Sequence, residues 1–187
     1  MSTIGLTILL ALQVHSTPDC RAPAWGDLVT HFNARVAAYV KLRSELEKGL
    51  PPFVVTENPA ETRATSRALA NRIRVARAKA RQGDIFTPAI GVVFKKALLV
   101  EMNAHTWKVI MDDNPGEFRS QVNDTYPIGK PLSTVPPNML AILPQLPRDI
   151  EYRFVERHLL LLDTRARLIL DRIPYAIQYS DGDPTCR

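Results

Sequence analysis

The chain has 187 residues, of which 45% are hydrophobic and 23% charged, and its formal net charge is +5. These proportions are typical of a globular protein, and they exclude a disordered chain, a collagen-like fibre and a polytopic membrane protein. A chain of this length buries an adequate core without a structural metal or several disulfides. Composition therefore predicts a folded domain, but it indicates no activity.

The first segment with a clear character is an apolar run at residues 4–14 (IGLTILLALQV). Its length is typical of the hydrophobic region of a signal peptide and is too short for a membrane-spanning helix. Ser16 supplies a small residue for cleavage, so we interpret residues 1–16 as a signal peptide for export to the periplasm or the medium. The alternative is a buried segment of a cytoplasmic domain, because no Lys or Arg precedes Arg21.

The two cysteines, Cys20 and Cys186, lie near opposite ends of the chain. Domain termini are often close in space, so an oxidising compartment would allow a disulfide between them. Two unpaired thiols are the alternative interpretation. With no third cysteine, a cysteine-based zinc site is excluded.

The first predicted helix covers residues 27–48. Its apolar side chains recur at intervals of three, four or seven residues, which places them on one face of a helix. Gly49 and Pro51 then stop the helix. The predicted buried residues are Leu28, Phe32, Val36, Tyr39 and Leu46.

A second helix is predicted over residues 59–82, with Pro59 in its first turn and Gly83 beyond its end. A third begins at Thr87-Pro88 and continues, with a break near Asn103, as far as residues 114–116 (Asn-Pro-Gly). Residues 25–126 are thus interpreted as a region of about three helices.

Residues 127–149 form a proline-rich strap, in which only a short helix at 138–143 fits between the prolines. The strap is too apolar for a free linker, so we expect it to pack across the helices. Its prolines are Pro127, Pro131, Pro136, Pro137, Pro144 and Pro147.

Residues 150–179 are predicted to form an antiparallel β-meander. Residues 152–157 alternate in polarity, and 158–162 and 168–170 are short apolar runs separated by polar links. A helix over 159–173 is the competing interpretation, since leucine favours helices. The fold class is therefore α+β, in one compact domain.

The most prominent surface feature is a stripe of arginines on the second predicted helix. Their spacings of 4, 7, 3 and 4 residues place them on one side of a helix. With Arg72 and Lys79, this helix holds seven cations against Glu61 alone. The stripe is the candidate anion-binding site and consists of Arg63, Arg67, Arg74, Arg77 and Arg81.

Like charges at these spacings repel each other, so the stripe needs a compensating anion. One interpretation is intramolecular pairing with acidic residues of neighbouring segments: Glu45, Glu47, Asp84, Asp112 or Asp113. The other is an anionic partner, such as a membrane surface, an acidic polymer or a partner subunit. Nucleic acid is not the partner that the sequence favours, because no aromatic residue interleaves with the arginines.

An enzyme is the alternative to a binding protein. Glu101, His105 and Asp112 are the side chains that a small metal-dependent or hydrolase-like enzyme would use here. The histidines lack metal-binding spacing, and the chain has no nucleophile elbow, Walker loop or dinucleotide fingerprint. We therefore predict no cofactor, no resident metal and no catalytic residue.

Two stretches resemble an uncharacterised group of exported bacterial proteins. They are Gln82-Gly-Asp-Ile-Phe-Thr-Pro88 after an Ala/Arg-rich helix, and a C-terminal pattern YRFV…LLLLD…LILDxIP at 152–174. The resemblance covers most of the chain after residue 25 and implies a bacterial envelope location, with no activity attached. One departure is Glu156, which stands where the group has a glycine.

From these features we predict a non-enzymatic binding or assembly protein of the bacterial envelope that acts through its arginine surface. A homo-oligomer is a further expectation, because a short meander leaves strand edges that a second copy can pair with.

Overall fold

The computed structural model describes residues 24–53 and 59–179. The helices are α1 (Trp25–Glu47), α2 (Pro59–Ala76), α3 (Pro88–Val100), α4 (Ala104–Asp112) and α5 (Pro137–Ile142). The strands β1 (Ile150–Val155), β2 (His158–Asp163) and β3 (Leu168–Ile173) form one antiparallel sheet in that order. The α+β class with helices first and a C-terminal meander is confirmed, and the helical alternative for 159–173 is wrong.

An aromatic cluster joins α1 and α3 to the sheet. Phe32 of α1 stacks on Phe86 with 5.6 Å between ring centroids, and Phe94 of α3 meets Phe32 edge-on at 5.5 Å. Tyr152 of β1 completes the cluster at 6.4 Å from Phe86. The predicted apolar face of α1 therefore lies in the main core, together with α3 and one face of the sheet.

α2 ends at Ala76, six residues before the predicted end at residue 82. The chain leaves the helix through tighter turns, in which Ala78 N–H bonds to Val75 O and Ala80 N–H to Arg77 O. The side-chain amide of Asn123 donates to Arg77 O at 2.9 Å and so satisfies one of the carbonyls at this end. Tertiary contacts therefore override a helical propensity that would continue further.

The third predicted helix divides at the expected place. The Asn103 side chain accepts a hydrogen bond from Thr106 N–H at 3.0 Å, which makes it the N-cap of α4. Thr87 caps α3 in the same way. Residues 113–126, which the sequence places in the helical region, contain no helix.

The sheet is buried on both faces, which explains the continuous leucine run of β2. Leu159 and Leu161 point into the main core, whereas Leu160 and Leu162 belong to a second cluster with Tyr126, under the loop at 117–126. That loop also covers the outer edge of β3, since Thr125 forms a bridge with Leu168.

Glu156 takes a left-handed backbone conformation in the turn between β1 and β2, with φ of 52°. Asn114 holds it from both sides: the Asn114 side-chain oxygen accepts from Glu156 N–H at 2.9 Å, and its amide donates to Glu156 O at 3.2 Å. The tight hairpin therefore forms without the glycine, because a distant asparagine braces the turn.

The two stretches that carry the family resemblance bind each other through Asp171. Its carboxylate accepts backbone hydrogen bonds from Gly83 at 3.0 Å and from Ile85 and Phe86 at 2.8 Å. The loop after α2 is thereby fixed to β3, and Phe86 is placed in the aromatic cluster.

The strap packs across the helices, as expected, and it also packs on the sheet. Val135, Met139 and Leu143 are buried, and the Ser133 hydroxyl donates to Phe154 O of β1. Leu132 and Leu140 remain exposed. The strap thus contributes to the core through one side only.

Candidate anion-binding site

A groove of about 870 Å³ lies between α2, the loop at 125–128 and the turn between β2 and β3. Its described lining combines cationic, hydroxyl and apolar side chains, and none of these residues is acidic. They are Phe53, Thr62, Arg63, Ser66, Arg67, Ala70, Asn71, Arg74, Thr125, Ile128, Thr164, Ala166 and Arg167.

Arg63, Arg67 and Arg74 bring three guanidinium groups to the groove along one side of α2. At a rise of 1.5 Å per residue, Arg63 and Arg67 are about 6 Å apart along the helix axis, and Arg74 is about 10 Å further. Arg63 and Arg67 are exposed and form no ion pair or hydrogen bond with the described residues. Their charge is available to a ligand.

Arg74 is half-buried and fixed. Its Nε donates to Asn123 O at 3.0 Å, one terminal nitrogen to the Asn71 side-chain oxygen at 3.0 Å, and the other to the Thr125 hydroxyl. All of these acceptors are neutral. Arg74 therefore joins α2 to the loop at 123–125 while its positive charge stays uncompensated by a carboxylate.

Arg167 contributes a fourth guanidinium group from the opposite wall. It lies in the turn after β2 with φ of 51°, and one terminal nitrogen donates to Pro127 O at 2.9 Å. Its Nε is buried and has no partner among the described residues. The groove thus receives fixed arginines from two walls and free arginines from the exposed part of α2.

The predicted stripe of five arginines is divided by the early end of α2. Arg77 and Arg81 lie beyond Ala76 and outside the groove, so the prediction that all five share one helical face is wrong. Arg77 donates to Leu170 O at 2.9 Å and lies over the Tyr39 ring, and burial lowers its pKa. Arg77 is therefore a structural residue.

Among the described residues, no carboxylate forms an ion pair with Arg63, Arg67 or Arg74. Glu45 pairs with Lys48, and Glu47 pairs with Arg43 and Arg165. Arg72 of α2 donates to the carbonyls of Leu46 and Lys48 at 2.8 Å, which are neutral. Within the described part of the chain, Arg72 and Arg74 thus bind carbonyl, amide and hydroxyl oxygens rather than carboxylates, and Arg63 and Arg67 bind none.

A buried network supports the turn that carries Arg167. Asp163, fully buried, accepts a hydrogen bond from the Tyr39 hydroxyl at 2.6 Å and lies 3.3 Å from Arg43. Its other oxygen accepts from Ala166 N–H at 2.9 Å. Burial and the neighbouring carboxylate raise the pKa of Tyr39, which keeps the hydroxyl as a donor.

The residues of the alternative enzyme do not form a compact cluster. Glu101 caps the end of α3 and accepts from the Asn138 side chain at 3.0 Å. His105 and Asp112 are both exposed, at opposite ends of α4 and about 10 Å apart along its axis. Among the described residues, no group of three His, Cys, Asp or Glu side chains has metal-binding geometry.

A second cavity of about 630 Å³ lies near the opposite end of the strands, between the loop at 117–121 and residues 155–158. It mixes acidic and basic side chains, including Glu117, Arg157 and Arg172. His158 accepts a hydrogen bond from Tyr175 N–H at 3.0 Å, and burial together with Arg172 lowers its pKa. The mixed charge makes this cavity a weaker candidate for an anion.

The sequence did not reveal the second wall of the groove. Arg167, Thr125 and Ile128 come next to α2 only through the pairing of Thr125 with Leu168, which local patterns do not encode. The predicted signal peptide at 1–16 and the cysteines Cys20 and Cys186 lie outside the described residues. Among the helices that the structure describes, none has the length and apolar character needed to cross a membrane.

No family model, no curated protein and no solved structure matches the chain significantly. The resemblance to exported bacterial proteins therefore stays a prediction, and the function is inferred from the groove itself.

Proposed function

We propose that this protein is a non-enzymatic binding protein of the bacterial envelope that takes up an anionic partner in the groove. The proposal rests on the two arginines Arg63 and Arg67, which are exposed and have no partner among the described residues. Arg74 and Arg167 add positive charge from two walls. An oxyanion placed among them forms charge-assisted hydrogen bonds, which are among the strongest in proteins.

The chemistry of the described lining supports binding rather than turnover. It offers guanidinium and hydroxyl donors, such as Ser66 and Thr125, but no imidazole, carboxylate or amine that would act as a general base. Guanidinium groups stay protonated at physiological pH and therefore act as permanent anion ligands. The envelope location rests on the apolar run at 4–14.

Calorimetric titration with inorganic polyphosphate tests the proposal. The test variant is Arg63→Glu/Arg67→Glu, because neither side chain has a partner whose loss would disturb the fold. The matched control is Lys96→Glu/Lys108→Glu, which makes the same change in net charge on exposed positions of α3 and α4. We expect the groove variant to lose at least about tenfold in affinity and the control to stay close to wild type. Equal losses in the two variants would indicate attraction to overall charge and reject the groove.

Self-association is a separate proposal. Among the described residues, β1 pairs with β2 alone, and its outer edge is contacted by the Ser133 hydroxyl at Phe154 O, whereas the loop at 123–126 pairs with the outer edge of β3. A second copy would therefore add at β1. Light scattering coupled to size exclusion tests this, together with hydrogen exchange at the amides of Tyr152 and Phe154, which alternate with the residues paired to β2 and so face the outer edge. A dimer whose formation slows exchange at these amides supports the proposal, and a wild-type monomer rejects it.

A further inference from the structure

The groove is larger than a simple inorganic anion requires. Its volume of about 870 Å³ is in the range of sites for organic molecules and equals roughly 30 bulk water molecules. A single phosphate or sulfate between Arg63 and Arg67 would leave most of that space filled with water. The volume of the groove therefore indicates a ligand that has an organic portion as well as a charged group.

The groove also has an apolar part. Ile128 is 65% exposed and lines the groove, where Phe53, Ala70 and Ala166 contribute further apolar surface. An exposed isoleucine by itself is ordinary. Beside an aromatic ring and two alanines in one concave site, it provides a surface on which an apolar group loses contact with water.

Charge is distributed unevenly between the apolar part of the groove and the part lined by the arginines of α2. Arg165 lies over the Phe53 ring at 4.5 Å, but its charge is offset by Glu47 at 3.2 Å and Asp149 at 3.8 Å. Arg63 and Arg67 have no such compensation among the described residues. The surroundings of Phe53 are thus close to neutral, whereas the exposed side of α2 carries free positive charge.

We infer that the ligand of the groove is an amphipathic organic anion, a deepening that rests on the proposed function. Its phosphate, sulfonate or carboxylate group is bound by Arg63 and Arg67, which are close enough along α2 to share one oxyanion. Its apolar body lies against Phe53 and Ile128. The hydroxyls of Ser66 and Thr125 line the groove between these parts and add neutral donors.

Two fluorescent probes with the same ring system test the inference. 1-Anilinonaphthalene-8-sulfonate carries both an anionic and an aromatic part, and N-phenyl-1-naphthylamine lacks only the sulfonate. We expect the sulfonate probe to bind one molecule per folded chain and the neutral probe to bind at least about tenfold more weakly. Equal affinities, or several sulfonate molecules per chain, would overturn the inference.

Two variants separate the two parts of the groove. Arg67→Gln should weaken the sulfonate probe about tenfold and leave the neutral probe unchanged, since it removes charge alone. Ser66→Trp should weaken both probes, because the indole occupies the groove. The control for Arg67→Gln is Lys96→Gln, and the control for Ser66→Trp is Val75→Trp. Val75 lies on α2 away from the groove lining and is 79% exposed. Circular dichroism confirms that each variant is folded, and sulfonate binding that survives Ser66→Trp would overturn the inference.

The experiment also distinguishes this inference from the proposed function. If polyphosphate binding depends on Arg63 and Arg67 but the affinity for the sulfonate probe is unchanged by Ser66→Trp, the anion-binding function stands and the amphipathic ligand is rejected. If neither ligand depends on the arginines, both proposals fail. Sedimentation with phosphatidylglycerol vesicles identifies a lipid source: binding that Ser66→Trp abolishes supports the inference, and binding that survives it is a surface contact and contradicts it.

Discussion

The hydroxyl of Tyr39 on α1 donates a hydrogen bond of 2.6 Å to the carboxylate of Asp163 at the end of β2, 124 residues further along the chain. The same carboxylate accepts from Ala166 N–H and therefore shapes the turn that carries Arg167 to the groove. The stability of the core and the geometry of the candidate site thus depend on one buried network.

Tyr39→Phe removes the hydroxyl and leaves one oxygen of a fully buried carboxylate with Arg43 as its remaining side-chain partner. We expect the free energy of unfolding to fall by about 1–3 kcal/mol, the usual penalty for a buried polar group that loses a partner. Urea denaturation measures the change. Tyr175→Phe is the control, because Tyr175 is exposed; equal effects of the two substitutions would show that the hydrogen bond contributes nothing.

Buried tyrosines also predict a loss of stability at alkaline pH. Burial raises the pKa of Tyr39, Tyr126 and Tyr152 above the ordinary value of 10.0. Above pH 10 the unfolded chain releases these protons while the folded chain retains them, so stability is present below that pH and declines above it. Each tyrosine contributes a slope of about 1.4 kcal/mol per pH unit until its own folded pKa is reached.

Denaturation curves collected from neutral to strongly alkaline pH test this expectation. Tyr39→Phe should lower stability at neutral pH but flatten the decline above pH 10, because one of the titrating groups is gone. A variant curve parallel to the wild type at high pH would show that Tyr39 does not contribute to the transition.

Asp171→Ala is expected to release the loop after α2. The substitution removes the acceptor of the Gly83, Ile85 and Phe86 amides and leaves them without this partner in a largely buried place. We expect a loss of about 2–4 kcal/mol, since several donors lose their partner together. Hydrogen exchange should accelerate at residues 83–86 more than in α3, and uniform acceleration would contradict a local role for Asp171.

Part of this fold is predictable from local patterns. The face of α1, the break at Asn103 and the three strands follow from hydrophobic spacing and punctuation. The end of α2 does not, because it is set by contacts with Asn123 and Leu170 rather than by a stop signal at residue 76. Long-range hydrogen bonds decide where a helix of good formers ends, and no local pattern records them.

The candidate site shows the same division. The arginines of α2 are visible in the sequence, and three of the five predicted residues line the groove. Arg167 is not visible as a site residue, since its segment has the composition of an ordinary polar turn. It joins the site only because Thr125 pairs with Leu168 across 43 residues of chain. The sequence thus predicts the positive charge of α2, but it does not predict the groove in which that charge would bind a ligand.

Glu156→Gly is expected to stabilise the protein. A side chain in the left-handed region costs about 1–2 kcal/mol, and glycine avoids that cost but loses about 0.5–1 kcal/mol through the greater freedom of the unfolded chain. The hydrogen bonds with Asn114 involve the Glu156 backbone and remain. The net gain in unfolding free energy should be up to about 1 kcal/mol. Arg157→Gly is the control, since Arg157 is not in the left-handed region and should only lose stability.

Arg67→Glu should raise the stability of the fold and weaken the binding of polyphosphate. Arg63 and Arg67 repel each other one helical turn apart, so a carboxylate at position 67 replaces repulsion with attraction and should raise the unfolding free energy by about 0.3–0.5 kcal/mol at low salt. The gain should shrink as salt screens these exposed charges. Polyphosphate should raise the melting temperature of the wild type more than that of the variant, since the variant binds the ligand more weakly. A variant that is less stable than the wild type without ligand would show that Arg67 serves the fold, and it would remove the physical basis for a free arginine in the groove.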